Sequence, residues 1–391
     1  MTIGSFNVWN LSYHRGAKSK SSTHPDDWKE RKVEAIANII KSNGMDIAAL
    51  QELKGGEGSA EGIVAKLPPG YDYLHVDRIY GELKDRGFVF PSEMESRGEL
   101  AFIYRNDKIR VAFDDEHCNM YVEIYRQLQT KYRELIDLLT GVVVGLIGLI
   151  PEDDGKKNSK KQLGVGMGGI LANGAGSVLG DVAAREKIAT MIGSIVRPPL
   201  VAFFNVRDND SQLRFVNAHV RWNLTAVEKE KKGAGLLEGS ADKLRKEEIK
   251  LLLGYVFKYV DAYPMKKRSS KYTVVGGDFN MACAEMTSSK EKMVDSKMKV
   301  VQEELSHLIM VNSKDVKAGC AYPKYAGNAN YDHFVFRKDA DIWKDEKGQD
   351  TAEVCNDGDD DKYFLIPNKM DEKYKWNISD HYPIKMRTAK I

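Results

Sequence analysis

The chain has 391 residues, 42% hydrophobic and 30% charged, which is the composition of a globular protein with ample material for a core. A net charge of +2 argues neither for nor against a polyanionic ligand, so only local basic clusters can speak to that. Cys118, Cys283, Cys320 and Cys355 are its only cysteines and form no Cys-x-x-Cys pair, which argues against a cysteine-built zinc site and against a dense disulfide framework.

Residues 3–9 alternate like a strand. The opening MTIGSFNVWN lacks the charged-then-apolar pattern of a secretion signal, so a cytoplasmic site is expected, with signal-independent export left open. A polar loop over 13–27 precedes a predicted helix over 28–42, where Val33, Ile36, Ile39 and Ile40 fall at helical spacing. Asn43-Gly44 stops that helix, and residues 47–50 form a short buried strand leading into Gln51-Glu52. Further strands are expected at 100–105, 200–206, 214–219 and 272–276, with an amphipathic helix over 244–263. Interleaved strands and helices, some strands adjacent, predict a layered α/β or α+β sandwich.

Residues 116–195 depart from this rhythm. A helix over 121–139 runs into an apolar stretch at 141–150, then a polar break at 151–161, a glycine-studded apolar run at 163–179 and a second helix at 181–195. We read them as one helical, glycine-rich insertion within a single domain spanning 1–391. The apolar run before Pro151 is shorter than the roughly 20 residues of a membrane span. A buried hairpin, or a contact with a second copy or a regulatory protein, is expected ahead of reversible membrane contact or a flap over the site.

Polar residues gather where the strands run out: Asn7, Gln51-Glu52, Asn217-Ala218-His219, Gly277-Asp278-Phe279-Asn280, Tyr331-Asp332-His333 and Ser379-Asp380-His381. Glu52 beside Asn7 would make an oxygen-only site for Mg²⁺, which uses one or two carboxylates and keeps several waters. Asp278 and Asn280 alternate on one strand end and are expected to face the same way, suited to a phosphate or an attacking water. Phosphodiester hydrolysis needs a proton acceptor and groups that neutralise developing charge, roles that His219 and His381 can fill near neutral pH. Each imidazole needs an orienting partner, and Glu99 is the candidate for His219, with Arg97 competing for that place. Arg197 is read either as a phosphate-binding cation or as one half of a surface salt bridge. Arg221 and Trp222 could touch a nucleic-acid backbone. The acidic run 356–362 could bind Ca²⁺ and the basic runs 229–232 and 266–271 could track phosphates, or all could be solvated turns.

This ordered set of motifs resembles the endonuclease/exonuclease/phosphatase superfamily, and within it the deoxyribonuclease I group. Phe102-Ile103-Tyr104-Arg105, Val196-Arg197-Pro198 and Met281-Ala282-Cys283 add to the likeness, which covers roughly 1–113 and 195–386 and leaves the insertion without a counterpart. The resemblance implies a four-layer α/β/β/α sandwich. It also implies catalytic roles for His219, His381, Asp278, Asn280 and Asp332, the last as the partner of His381. Asn280, Arg197 and Asn7 would meet phosphate, Glu52 and Asn7 would hold Mg²⁺, and Asp380 would join the cation site or the nucleophile's surroundings. Mn²⁺ is expected as a substitute cation, and Ca²⁺ as a structural ion. His333, where the family has arginine or another polar residue, departs from the pattern. The implied activity is metal-dependent endonucleolytic hydrolysis of DNA by a two-histidine mechanism. An indiscriminate nuclease made without a secretion signal would endanger its own cell, so activity gated through the insertion, or a role as an effector toxin, is expected in addition. The alternative is a phosphatase or phosphodiesterase acting on inositol lipids or sphingomyelin.

Overall fold

The computed structural model describes residues 1–13, 28–89, 99–148, 186, 189, 197–209, 211–220, 235–263, 270–281, 308–312, 331–337, 352–355, 381 and 383–388. In chain order the elements are β1 (Thr2–Asn7), α1 (Trp28–Ser42), β2 (Ile47–Gln51), α2 (Glu57–Val64), β3 (Tyr71–His75), α3 (Val76–Asp85), β4 (Ala101–Arg105), β5 (Ile109–Val111) and α4 (Asp115–Gly148). They continue as β6 (Leu200–Val206), β7 (Ser211–His219), α5 (Gly235–Tyr255), a π-helical turn (Val256–Val260), β8 (Ser270–Asp278), β9 (Leu308–Asn312), β10 (Asp332–Arg337), β11 (Ala352–Val354) and β12 (Ile384–Arg387).

The strands form two six-stranded sheets in a mixed α+β fold. The first has the order β11-β12-β1-β2-β4-β3 and the second β5-β6-β7-β8-β10-β9. Each contains one parallel pair, β1 with β2 and β7 with β8. A parallel pair needs a long crossover, and α1 and α5 fall within those two connections. Both parallel pairs therefore present the C-terminal ends of two adjacent strands, a favoured place for ligands in sheets of this kind.

Side-chain alternation divides the core. Phe6, Val8, Ala48, Leu50, Ala101 and Ile103 pack with Val33, Ile36, Ile39 and Ile40 of α1 and with Ala60 and Ile63 of α2. The intervening residues Ile3, Ile47, Ala49, Phe102 and Tyr104 share the other cluster with β6, β7 and β8. The Phe102 ring stands 5.3 Å from Phe204 and 5.1 Å from Phe215, so aromatic side chains of the two sheets meet directly. Full burial of each such ring contributes roughly 1.5–3 kcal/mol. The same parity turns Ser5, Asn7, Ala49 and Gln51 toward the second sheet, which brings Asn7 and Gln51 to the end of the space between the sheets.

Strand β5 covers only the end of β6, and among the described residues no other strand pairs with the rest of that edge. Helix α4 closes it: the N–H of Val201 donates to the hydroxyl of Tyr125 (3.1 Å) and that of Phe203 to Tyr121 (3.2 Å). One helical turn spans nearly the same distance as two strand residues, so an i, i+4 tyrosine pair matches alternate strand N–H groups. This helix runs unbroken from Asp115 to Gly148. Helical periodicity predicts a helix over 121–139; instead it starts earlier, and the stretch from Gly141 continues the helix that Tyr121, Tyr125, Leu128, Tyr132 and Leu135 anchor in the core. Apart from Glu186 and Ala189, the rest of the expected insertion lies outside the described residues. Among those described, no helix is long and apolar enough to cross a membrane.

Candidate active site

Register brings the polar clusters to one lip. Asn7 lies opposite Gln51 in the first sheet; in the second, Asp278 lies between His219 on one side and Asp332 on the other. The close strand approach needs Gly277, whose φ is 155° and whose Cβ, if present, would sit 1.8 Å from the carbonyl oxygen of Ala218. Among the described residues, non-glycine positive φ values occur at Trp9, Asn10, Glu52 and Asn280. All four lie within three residues of the ends of β1, β2 or β8, so the strained backbone is gathered around this lip.

Two carboxamides lock the sheets together beneath it. Gln51 Nε2 donates to Asn217 Oδ1 at 2.8 Å, and Asn217 Nδ2 donates to the carbonyls of Leu50 (2.9 Å) and Ala101 (3.0 Å). Both residues are fully buried, where an unmade hydrogen bond costs about 1–3 kcal/mol. Gln51 and Asn217 belong to the strand-end motifs, and this cross-sheet bond gives them a structural role.

The site centres on Oδ2 of Asp278. Asn7 Nδ2 donates to it at 2.9 Å, His381 Nε2 lies 3.6 Å away and His219 Nε2 3.7 Å away. The same His219 nitrogen is 3.6 Å from Glu52 Oε1, and Asn7 Nδ2 also reaches that oxygen at 3.4 Å. Glu52 Oε2 accepts the N–H of Asn10 at 2.9 Å. Two buried carboxylates thus share one amide and one imidazole. Burial pushes the Asp278 carboxyl up to about 7; the His381 charge opposes this, the Asp332 charge adds to it, and hydrogen bonds from Asn7 and the Asn280 N–H pull it back. Asp278 can therefore exchange a proton near neutrality.

The two imidazoles are held differently. His381 Nδ1 meets Oδ2 of Asp332 at 2.7 Å, leaving Nε2 toward Asp278. On the other side, Arg197 Nη1 lies 3.3 Å from His219 Nδ1 and pairs with Glu99, which also pairs with Lys54. A guanidinium only donates, so Nδ1 of His219 accepts and the ring proton sits on Nε2, aimed into the site. Glu99, expected as the orienting partner of His219, is thus bound to the arginine that contacts the ring. Arg197, expected at phosphate, stands at the back of His219.

Asn280 also departs from expectation. Its φ of 49° breaks the alternation, so it does not point with Asp278: Nδ2 donates to the carbonyl of Val220 (2.9 Å), and its N–H caps Asp278 Oδ1 (2.8 Å). This is the Asx-type turn that short polar side chains form after strands. His333 is fully buried, with Nε2 2.8 Å from the Met281 carbonyl, and burial lowers its pKa. It is a neutral core donor. Asp380, Arg97, Arg221, Trp222 and the runs at 229–232 and 356–362 lie outside the described residues, as does most of 266–271.

Among the described residues no three His, Cys, Asp or Glu side chains form a metal cage. A hard cation that keeps its waters needs fewer, and the closeness of Glu52 and Asp278, with Asp278 raised by burial, suits added positive charge. The residues fit Mg²⁺ through Glu52. Asn7 as placed offers these carboxylates its N–H, while its Oδ1 accepts from Trp9 at 2.9 Å.

No protein-family model matches the chain, and no curated protein sequence matches it. Among solved structures it is similar to a mannosyl-6-phosphatase of Bacteroides thetaiotaomicron, at 14% identity over 99% of this chain and 98% of that one, with a TM-score of 0.46. It is also similar to an endonuclease/exonuclease/phosphatase family protein of the same organism, at 15% identity over 99% and 93%, TM-score 0.46. A third is D. rerio TDP2 complexed with single strand DNA product, at 9% identity over 99% and 97%, TM-score 0.42. Similarity at this level leaves the function to the side chains described above.

Proposed function

We propose that this chain is a four-layer α/β/β/α phosphodiesterase that hydrolyses DNA endonucleolytically with a divalent cation. The observation that carries the reading is the meeting of both histidine Nε2 atoms and the Asn7 amide at one oxygen of Asp278. A nucleophilic water needs a base, the phosphorus needs donors for its growing charge, and the leaving oxygen needs a proton.

Asp278 orients the water and accepts its proton, a task suited to a carboxyl lifted to about 7. His219, with its proton on Nε2, donates to a non-bridging oxygen of the phosphate. His381, backed by Asp332, carries a proton at Nε2 for the same charge or for the leaving oxygen. Mg²⁺ bound at Glu52 would supply Lewis-acid stabilisation of the phosphoryl oxygens. Gating through the helical segment and toxicity to a cell remain part of the proposal, motivated by a nuclease-like site joined to a long apolar insertion.

The test is incubation with supercoiled plasmid in Mg²⁺, in Mn²⁺ or in chelator, beside His219→Ala. Nicking that requires both metal and His219 is expected. Release of phosphate or a phosphorylated headgroup from inositol lipid or sphingomyelin vesicles, with the plasmid left intact, would replace DNA with the lipid substrate class.

A further inference from the structure

The loop after β1 is built at a cost. Trp9 and Asn10 both adopt left-handed backbone conformations, with φ of 46° and 54°, a region that bulky side chains avoid. Three bonds hold them there. The Trp9 N–H donates to Asn7 Oδ1 (2.9 Å), the Asn10 N–H donates to Glu52 Oε2 (2.9 Å), and the buried Lys32 ammonium donates to the Trp9 carbonyl (2.6 Å). The result is an indole 39% exposed, carried on a loop whose backbone N–H groups bind the Asn7 carboxamide and the Glu52 carboxylate of the candidate active site. A tryptophan fixed by strain keeps about two fifths of its surface open to solvent, more than packing on Lys32 requires.

Lys32 also decides what the indole attracts. Its ammonium lies over the ring, 5.4 Å from the centroid. A cation on one face weakens the pull of the other face on a second cation, which disfavours a choline headgroup. It leaves stacking by a flat neutral ring, whose energy is dispersion and surface burial.

We propose that Trp9 is a stacking platform for an unpaired nucleobase next to the phosphate under attack. This rests on the phosphodiesterase reading above and names the form of its substrate: single-stranded or frayed DNA, in which a base is free to leave its neighbours.

The test compares a short single-stranded oligonucleotide with the same strand carrying abasic tetrahydrofuran residues, using wild type, Trp9→Ala and Trp9→Phe. Binding is measured by fluorescence anisotropy in chelator, and cleavage in Mg²⁺. Trp9→Ala is expected to weaken binding of the base-bearing strand about 5- to 100-fold. It should leave the abasic strand unchanged, and Trp9→Phe should restore most of the difference. Equal binding of the base-bearing strand by wild type and Trp9→Ala would overturn the platform, as would equal losses on both strands. Wild type that binds but cleaves neither strand would instead overturn the phosphodiesterase reading, with the binding comparison still deciding the role of Trp9.

Discussion

Nδ1 of His381 meets Oδ2 of Asp332 at 2.7 Å, although the two residues are 49 apart in the chain and stand on different sheets' margins. The contact fixes which ring nitrogen carries the constant proton and leaves Nε2 for the reacting groups. Replacing Asp332 by Asn keeps the shape but offers an N–H or an uncharged oxygen to Nδ1. We predict that Asp332→Asn lowers kcat on plasmid DNA about 10²- to 10⁴-fold with little change in KM. A kcat within threefold of wild type would remove the dyad from the mechanism.

Asp278 sets a pH-dependent stability. Its carboxyl has an ordinary value of 3.8 and is pushed up to about 7 in the folded chain by burial. Between those values the folded chain holds a proton that the unfolded chain has released, so stability from this group falls as pH rises from about 4 to about 7 and is then flat. Asp278→Asn never ionises and escapes that loss. In chelator it should match wild type at pH 4 and exceed it at pH 8, by a few kcal/mol at most, while losing activity. Denaturant melts at the two pH values decide this, and a variant no more stable at pH 8 would contradict it.

Arg197 is predicted to act through His219. Removing the guanidinium in Arg197→Met frees Nδ1 to take the ring proton and disturbs the donor at Nε2. Activity should fall about 10- to 100-fold with a displaced pH profile of kcat/KM, and Arg197→Lys should recover part of it. An unchanged profile accompanied only by a rise in KM would return Arg197 to phosphate binding.

Asn217 tests the cross-sheet lock. Asn217→Leu strips the donors from the Leu50 and Ala101 carbonyls and the acceptor from Gln51, all in a buried place. A loss of about 3 kcal/mol or more is expected in urea melts. A loss below 1 kcal/mol would mean that the sheets are held by apolar packing alone at this end.

Periodicity made much of the scaffold legible. The helix at 28–42 and the strand at 200–206 match α1 and β6, because long apolar runs with a clear period carry their own signal. Strand β5 has three residues and β11 has three, too few to show any period, and α2 carries two internal glycines in a short span. The helix expected over 244–263 instead begins at Gly235 and changes to a π-helical turn at Val256. There Arg214, buried on the outer side of β7, takes up the carbonyls of Val260, Asp261 and Tyr263. No local rule places an arginine from another strand at a helix end.

The chain's own order of residues determined which polar groups would stand at strand ends, since alternation and turn chemistry are set by neighbours a few positions apart. Tertiary structure alone decided their partners. Whether Asn280 would point with Asp278 or turn back to Val220, and whether His219 would lean on a carboxylate or on Arg197, depended on contacts between segments tens of residues apart. Pairwise geometry of that kind arises only when two sheets close on each other, because a side chain's hydrogen-bond partner is fixed by distance in space.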